Sequence, residues 1–241
     1  MEKRIIARGL LAGAIAGVLA FVFSRTFVEP VITQALAYEE SHQHGHEHGV
    51  ELFTRGVQAN IGMGFGVLAF SVAMGALFAV VYCLAYGRIG NLSPRLLSVL
   101  VAGGMFLALY VIPFLKYPPN PPAVSLEETI RQRTLLYLLM VVLSAALLVV
   151  AVYLGHRLVA QFGQWRATLI GVGAYVVAIA IVMLVLPTID ETPDDFPADV
   201  LYDFRLYSLG TQLVMWTMIG LVFASMVDRL LGQSQRETVS A

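Results

Sequence analysis

Residues 134–156 read TLLYLLMVVLSAALLVVAVYLGH, a run of 23 positions without an acid, a lysine or an arginine. About 20 such residues, wound as a helix, cross the hydrocarbon core of a bilayer. A water-soluble core has no use for so long an unbroken apolar block. A single strand is excluded at that depth because its backbone groups would find no partners in lipid. Five more blocks of this kind flank it, at about 5–28, 57–86, 96–115, 167–186 and 206–228. None alternates with the period of two that a membrane barrel requires. The expected fold is therefore all-α: a polytopic membrane protein with six transmembrane helices in one integral membrane domain, 1–241.

Composition agrees with this reading. The chain is 58% hydrophobic and only 13% charged, with a mean hydropathy of +0.77, where a soluble domain carries roughly 25% charged residues. The net charge of −1 gives no basic field for a nucleic acid, and none is expected as a partner. Cys83 is the one cysteine, so no intrachain disulfide forms and redox compartment stays open. Lys3, Arg4 and Arg8 precede the first block in the manner of a signal peptide. That block, however, is long enough to span and lacks a small-x-small cleavage site after it, which reads as a retained first span.

Basic residues set the orientation. Lys3, Arg4, Arg8, Arg88, Arg95, Arg157, Arg166, Arg229 and Arg236 fall on one set of connections; the other holds Arg25, Arg55, Lys116, Arg131, Arg133 and Arg205. The first set lies in short loops, where an excess of Lys and Arg marks the cytoplasmic side. Both termini are then cytoplasmic. The outer side receives a loop at 29–56 and Pro- and acid-rich loops at 116–133 and 187–205. No GxxxxGK phosphate loop occurs, so ATP hydrolysis is not expected of this chain.

The outer loops resemble one another. VIPFLKYPPNPPAV after the third block aligns with VLPTIDETPDDFPADV after the fifth: Pro113, Pro118 and Pro122-Ala123 match Pro187, Pro193 and Pro197-Ala198. Each is followed by acids and then by arginines that open the returning helix, Arg131 and Arg133 in one case and Arg205 in the other. FVEP, followed by acids, histidines and ELFTRGVQ with Arg55, is a looser copy. Three parallel-oriented helical hairpins related by duplication follow from this pattern; prolines, acids and arginines gathering independently at interfaces would leave the same trace.

A cation at a helix N-terminus opposes the macrodipole, so these arginines call for partners. Glu127 and Glu128 precede Arg131, Asp203 precedes Arg205, Glu51 precedes Arg55, and Arg25 stands four residues before Glu29 on one helix face. The plain reading is structural pairing at the interface; the sharper one is an outer vestibule of alternating carboxylates and fixed cations.

Inside the blocks, Gly9, Gly13 and Gly17 form a GxxxGxxxG row along one face, and Gly62 and Gly66 suggest a second pair of close-packing positions. No ionisable group stands at mid-membrane depth. Gln58, Asn60, Met63, Met74, Gln212, Met215 and Met218 are the polar or soft groups present, and methionine there is more often a gap-filler than a ligand.

Residues 41–49, SHQHGHEHG, place His42, His44, His46 and His48 at alternate positions in the first outer loop. In extended chain the four rings project from one face, and neutral imidazole suits cobalt, nickel, copper and zinc. Glu39 and Glu40 add carboxylate oxygens. Gly45 and Gly49 argue for a loop rather than a helix. Such a tract gathers divalent metal without imposing a geometry; a solvated polar linker is the plainer alternative. His156, beside Arg157, reads as an interfacial residue.

Several stretches together resemble one family. RGLLAGAIAG, FVEP, the AYEE-plus-histidine loop, FTRGVQ, FLKYPPNPPAV with ETIRQRTLLY, and ETPDDFPADVLYDFRLYSLGTQ are similar to CbtA-type cobalt transporter subunits of bacteria, over nearly the whole chain. The resemblance implies a multi-pass inner-membrane protein linked to cobalt supply for cobalamin synthesis, with a small single-span CbtB-type subunit as partner. The family is often described with five spans, against six blocks here. The expected function is thus a divalent metal transporter subunit, cobalt being indicated by the resemblance. His42, His44, His46 and His48 collect metal outside with Glu39 and Glu40, and Glu29 is the first carboxylate to receive it. A non-transporting accessory or assembly subunit with a metal-buffering loop is the alternative. No nucleophile–base or three-ligand constellation suggests an enzyme. No tightly bound cofactor is expected, and partners are the lipid bilayer, the metal ion, the single-span subunit and, as an open option, further copies of the chain.

Overall fold

The structure, a computed structural model, describes residues 2–42, 54–90, 92–124, 127–189, 192–193 and 195–239. Every regular element among the described residues is helical: α1 Glu2–Phe23, α2 Glu29–His42, α3 Arg55–Val57, α4 Met63–Ala85, α5 Pro94–Phe106, α6 Ile112–Lys116, α7 Glu127–Val185 and α8 Ala198–Val239, with a short 3-10 turn at Pro122–Val124. Three π-helical turns, Ser24–Val28, Gln58–Gly62 and Leu107–Val111, join α1 to α2, α3 to α4 and α5 to α6 without a break.

Two of these turns have a common cause. Pro30 and Pro113 each stand two residues beyond a π turn. A proline inside a helix brings no N–H and its ring strikes the carbonyl four residues back; one extra residue in the turn relieves that crowding. In the turn at Gln58–Gly62, which has no proline, the Asn60 side-chain Nδ2 donates to the Gly56 carbonyl at 2.8 Å. It thereby takes the acceptor that an α-helical backbone bond would use.

Among the described residues, five helical stretches are long and apolar enough to cross a membrane: Glu2–Ser41, Arg55–Ala85, Pro94–Lys116, Thr129–Val185 and Ala198–Asp228. The fourth of them, 57 residues, would reach about 86 Å if straight, far beyond a hydrocarbon core of about 30 Å. It is not straight. Gly163, at φ 74 and ψ 164, breaks the helix, and the two arms return along each other. The Ser144 and Tyr175 hydroxyls meet at 2.8 Å, and a Cβ on Gly171 would lie 3.0 Å from the Ala151 carbonyl. The blocks 134–156 and 167–186 are these two arms. The connection between them, expected as a loop, is helical up to its single glycine, since LVAQF and QWRAT contain only residues a helix tolerates.

The first helix likewise continues beyond Val28, through FVEP to His42. Once the π turn has accommodated Pro30, the following TQALAYEE is rich in good helix formers.

The chain forms two compact units. One comprises Met1–Gly103, Pro121–Ala123 and Phe196–Ala241. Its α1–α4 contact is backbone on backbone: a Cβ on Gly9 would sit 2.4 Å from the Gly75 carbonyl and one on Gly13 2.4 Å from that of Ser71. The glycine row on the first span therefore has the packing role its spacing suggested. Gly62 and Gly66 do not. Among the described residues, a Cβ on Gly66 would meet nothing within 4 Å beyond its own stretch of helix, and one on Gly62 only the Val57 carbonyl at 3.8 Å. Gly66 is five residues from Ser71, roughly 140° around the helix, so the α4 face that meets α1 is the one carrying Ser71 and Gly75. On α8, Phe223 stacks edge-on against Phe78 and Tyr82, with centroids 4.9 Å apart in both pairs. Ser98 Oγ donates to the Gly220 carbonyl at 2.8 Å, and Arg95 pairs with Asp228 at 2.6 Å.

The second unit comprises Gly104–Asn120 and Val124–Asp195. Its core gathers Tyr117, Met140, Ala151, Tyr175 and Ile179. Hydrogen bonds tie its proline-rich end: Tyr117 Oη donates to the Pro187 carbonyl at 2.7 Å, and Arg133 donates to that of Pro118 at 2.5 Å. Burial raises the phenol pKa of Tyr117. The apolar surface of the helices is largely unburied, with Leu184 85% and Phe65 75% exposed. Such a surface fits lipid rather than water.

Candidate functional site

At one end of the first unit the two π turns of the first hairpin lie opposite each other. Arg25 Nε donates to Asn60 Oδ1 at 2.9 Å, and Arg55 Nη2 donates to Glu29 Oε1 at 2.6 Å. The Ser24 hydroxyl meets that of Thr211 on α8 at 3.1 Å. Local chemistry builds this end. Thr54 caps the returning helix, its hydroxyl accepting from the Val57 backbone at 3.4 Å. The π turn brings residues five apart into line, so Glu29 follows Ser24 onto the buried face.

The pairing of Glu29 with Arg25, four residues away, does not form. Glu29 takes Arg55 from across the hairpin, and Arg25, exposed, takes Asn60. The pair is unequal: the Glu29 side chain is 7% exposed and that of Arg55 39%. It is also incomplete, because Glu29 Oε2 and Arg55 Nε are buried without a hydrogen-bond partner among the described residues. A buried carboxylate oxygen left unpartnered is costly, and such a group in a folded protein asks for a reason.

The other expected site residues are spread out. Glu39 and Glu40 lie on α2, half-buried and exposed respectively, about 15 Å along the helix from Glu29. His42 ends α2; His44, His46, His48 and Glu51 lie outside the described residues, as do the side chains of His42, Glu127 and Glu128. Arg131 is exposed near the start of α7, Arg133 binds the Pro118 carbonyl, and Asp203 and Arg205 are half-buried on α8. Among the described residues no group of three or more His, Cys, Asp or Glu is placed to hold a metal ion. Met215 is buried in the core. Two partners escaped the sequence reading. Asn60 was visible as a polar residue in an apolar block but not as the acceptor for Arg25. Thr211 stands 187 positions from Ser24, a separation at which no spacing rule operates.

Long apolar helices with lipid-suited flanks define the class: a multi-pass, all-helical membrane protein. Within that class, the chain belongs to the family described as probable cobalt transporter subunit (CbtA), whose model matches residues 2–228. Membership implies a probable subunit of a cobalt transporter. Neither a curated protein nor a solved structure matches the chain.

Proposed function

We propose that the chain is the membrane subunit by which a divalent cation, cobalt on the family's description, is taken up across the bacterial inner membrane, and that Glu29 is the first carboxylate to receive it. In this reading the two arms of α7 are separate crossings, giving six, arranged as three parallel hairpins with cytoplasmic termini. The histidine tract is then extracytoplasmic. His42, His44, His46 and His48, with Glu39 and Glu40, concentrate metal above Glu29, and the other charged residues, Arg25, Glu127, Glu128, Arg131, Arg133, Asp203 and Arg205, stand at the outer ends of their own hairpins. Delivery to cobalamin synthesis and a small CbtB-type partner complete the proposal.

The observation that supports it most is the half-satisfied buried carboxylate. Glu29 Oε1 is held by Arg55 while Oε2 has no hydrogen-bond partner among the described residues. A carboxylate in that state already has its charge balanced, and an arriving divalent cation competes with the guanidinium for it. Arg55, the more exposed of the two, is the one that swings away into solvent. Carboxylate and imidazole together suit cobalt, nickel, zinc and copper, so this site alone does not choose among them.

The test is uptake of radiolabelled cobalt into proteoliposomes containing the chain, with and without its single-span partner. Glu29→Gln is expected to lower uptake about tenfold, the scale of one lost charge-assisted contact; unchanged uptake overturns the role of Glu29. Deleting residues 42–48 is expected to lower uptake at limiting cobalt and not at saturation. Cobalt binding without flux in either preparation would instead identify an accessory subunit with a metal-buffering loop.

A further inference from the structure

The second unit contains a cleft of about 390 Å³ between the end of the third apolar helix and the start of α7. Its walls include Tyr110, Phe114, Tyr117 and Tyr137, with Arg133 and Thr134 beside them. Tyr110 comes from the π turn Leu107–Val111, and its ring lies 5.7 Å from that of Phe114. Neither the Tyr110 nor the Tyr137 phenol is spent on a hydrogen bond among the described residues. The guanidinium is fixed at the wall by its bond to the Pro118 carbonyl, and a second cation, Lys116, stands over the Tyr117 ring at 6.0 Å. No carboxylate is among the described residues lining the cleft.

A divalent cation has no reason to enter a cleft lined by a cation and phenols. An anion does, provided it also carries apolar mass for the ring walls. The cleft lies where such an amphiphile is at hand. Tyrosines gather at headgroup depth, and the flanking Leu115, Ile130 and Leu135 are 65%, 46% and 57% exposed, as lipid-facing residues are. We infer that this cleft is a binding site for an anionic phospholipid, its phosphate set against Arg133 and the Tyr110 and Tyr137 hydroxyls and its acyl chains running down over Leu115 and Leu135. The site is independent of the metal route and of Glu29.

The experiment uses the full chain purified in detergent, with bound lipid counted by native mass spectrometry after exposure to equimolar phosphatidylglycerol and phosphatidylcholine. The expected result is retention of phosphatidylglycerol over phosphatidylcholine by about fivefold, the scale of one cation at a membrane surface. Arg133→Gln brings the ratio near one, Arg133→Lys keeps most of it, and Tyr137→Phe, which leaves the Pro118 bond intact, lowers it by about twofold. Arg25→Gln, in the other unit, leaves the ratio unchanged. A wild-type ratio of one, or a preference that survives Arg133→Gln, overturns the assignment. Displacement of the lipid by millimolar inorganic phosphate also overturns it, in favour of a soluble phosphate ligand.

Discussion

The hydroxyl of Ser144 and the phenol of Tyr175 meet at 2.8 Å across the two arms of α7, 31 residues apart and buried. Polar pairs between membrane helices couple by about 0.6 kcal/mol on average, and by up to about 1.7. A double-mutant cycle of Ser144→Ala and Tyr175→Phe, followed by unfolding in mixed micelles, should return a coupling in that range. A coupling of zero would mean that apolar contact alone holds the arms together.

The bend that allows this meeting depends on Gly163. Its φ of 74 and ψ of 164 fall in a region that only glycine enters freely, at a cost to other residues of about 1–3 kcal/mol. Gly163→Ala should lower thermal stability accordingly. Gly103→Ala, at a helical position with open space around it, should raise stability by a few tenths to about 1 kcal/mol. Equal effects from the two substitutions would remove the special role of Gly163.

In the first unit, Gly13→Ala would drive a methyl to within 2.4 Å of the Ser71 carbonyl. The atom struck is backbone, so the helices must separate, with an expected loss of about 1–3 kcal/mol. Gly66→Ala, in open space, should be harmless. Crosslinking yield between cysteines introduced on α1 and α4 would report the separation directly.

Removing Arg55 leaves Glu29 buried with no charge partner among the described residues. Breaking such a pair costs about 3–5 kcal/mol, reduced here because Arg55 is partly exposed and screened by solvent. Arg55→Met should therefore destabilise the protein more than the double variant Glu29→Gln/Arg55→Met, in which no carboxylate is stranded. The reverse order in melting temperature would argue against a buried charge at position 29.

Tyr117→Phe removes the bond to the Pro187 carbonyl, worth about 1 kcal/mol. The same phenol has a pH signature. Burial raises its pKa in the folded state, so its contribution is complete below the ordinary tyrosine value of about 10 and is lost as pH climbs through the folded value. The difference in stability between wild type and Tyr117→Phe should hence be constant at neutral pH and change only in strong alkali.

What could be read from the residues alone follows a physical division. The apolar blocks 134–156 and 167–186 were legible because lipid imposes length and composition on any helix that crosses it. The Gly9–Gly13–Gly17 row was legible because close approach needs small residues at helical spacing. The helical stretches beyond the blocks, Glu29–His42 and the approach to Gly163, were not, since outside the apolar runs no comparable constraint marks where a helix stops. The rotational setting of α4 was also hidden: Gly62–Gly66 and Ser71–Gly75 are equally good small-residue pairs, and only the partner helix decides between them. At the candidate site, Glu29 and Arg55 were visible as charges, but their pairing was not. The i, i+4 rule favoured Arg25, whereas a π turn caused by Pro30 and a contact across the hairpin favoured Arg55.

α8 is the last helix of its unit to leave the ribosome, yet α1, α4 and α5 all rest on it. Until it arrives, the Ser24 hydroxyl lacks Thr211, the Ser98 hydroxyl lacks the Gly220 carbonyl, and Phe78 and Tyr82 lack Phe223. The early helices thus wait in the bilayer with polar atoms and an aromatic face uncovered. During biogenesis these groups therefore stay uncovered until α8 has been translated and packs against them.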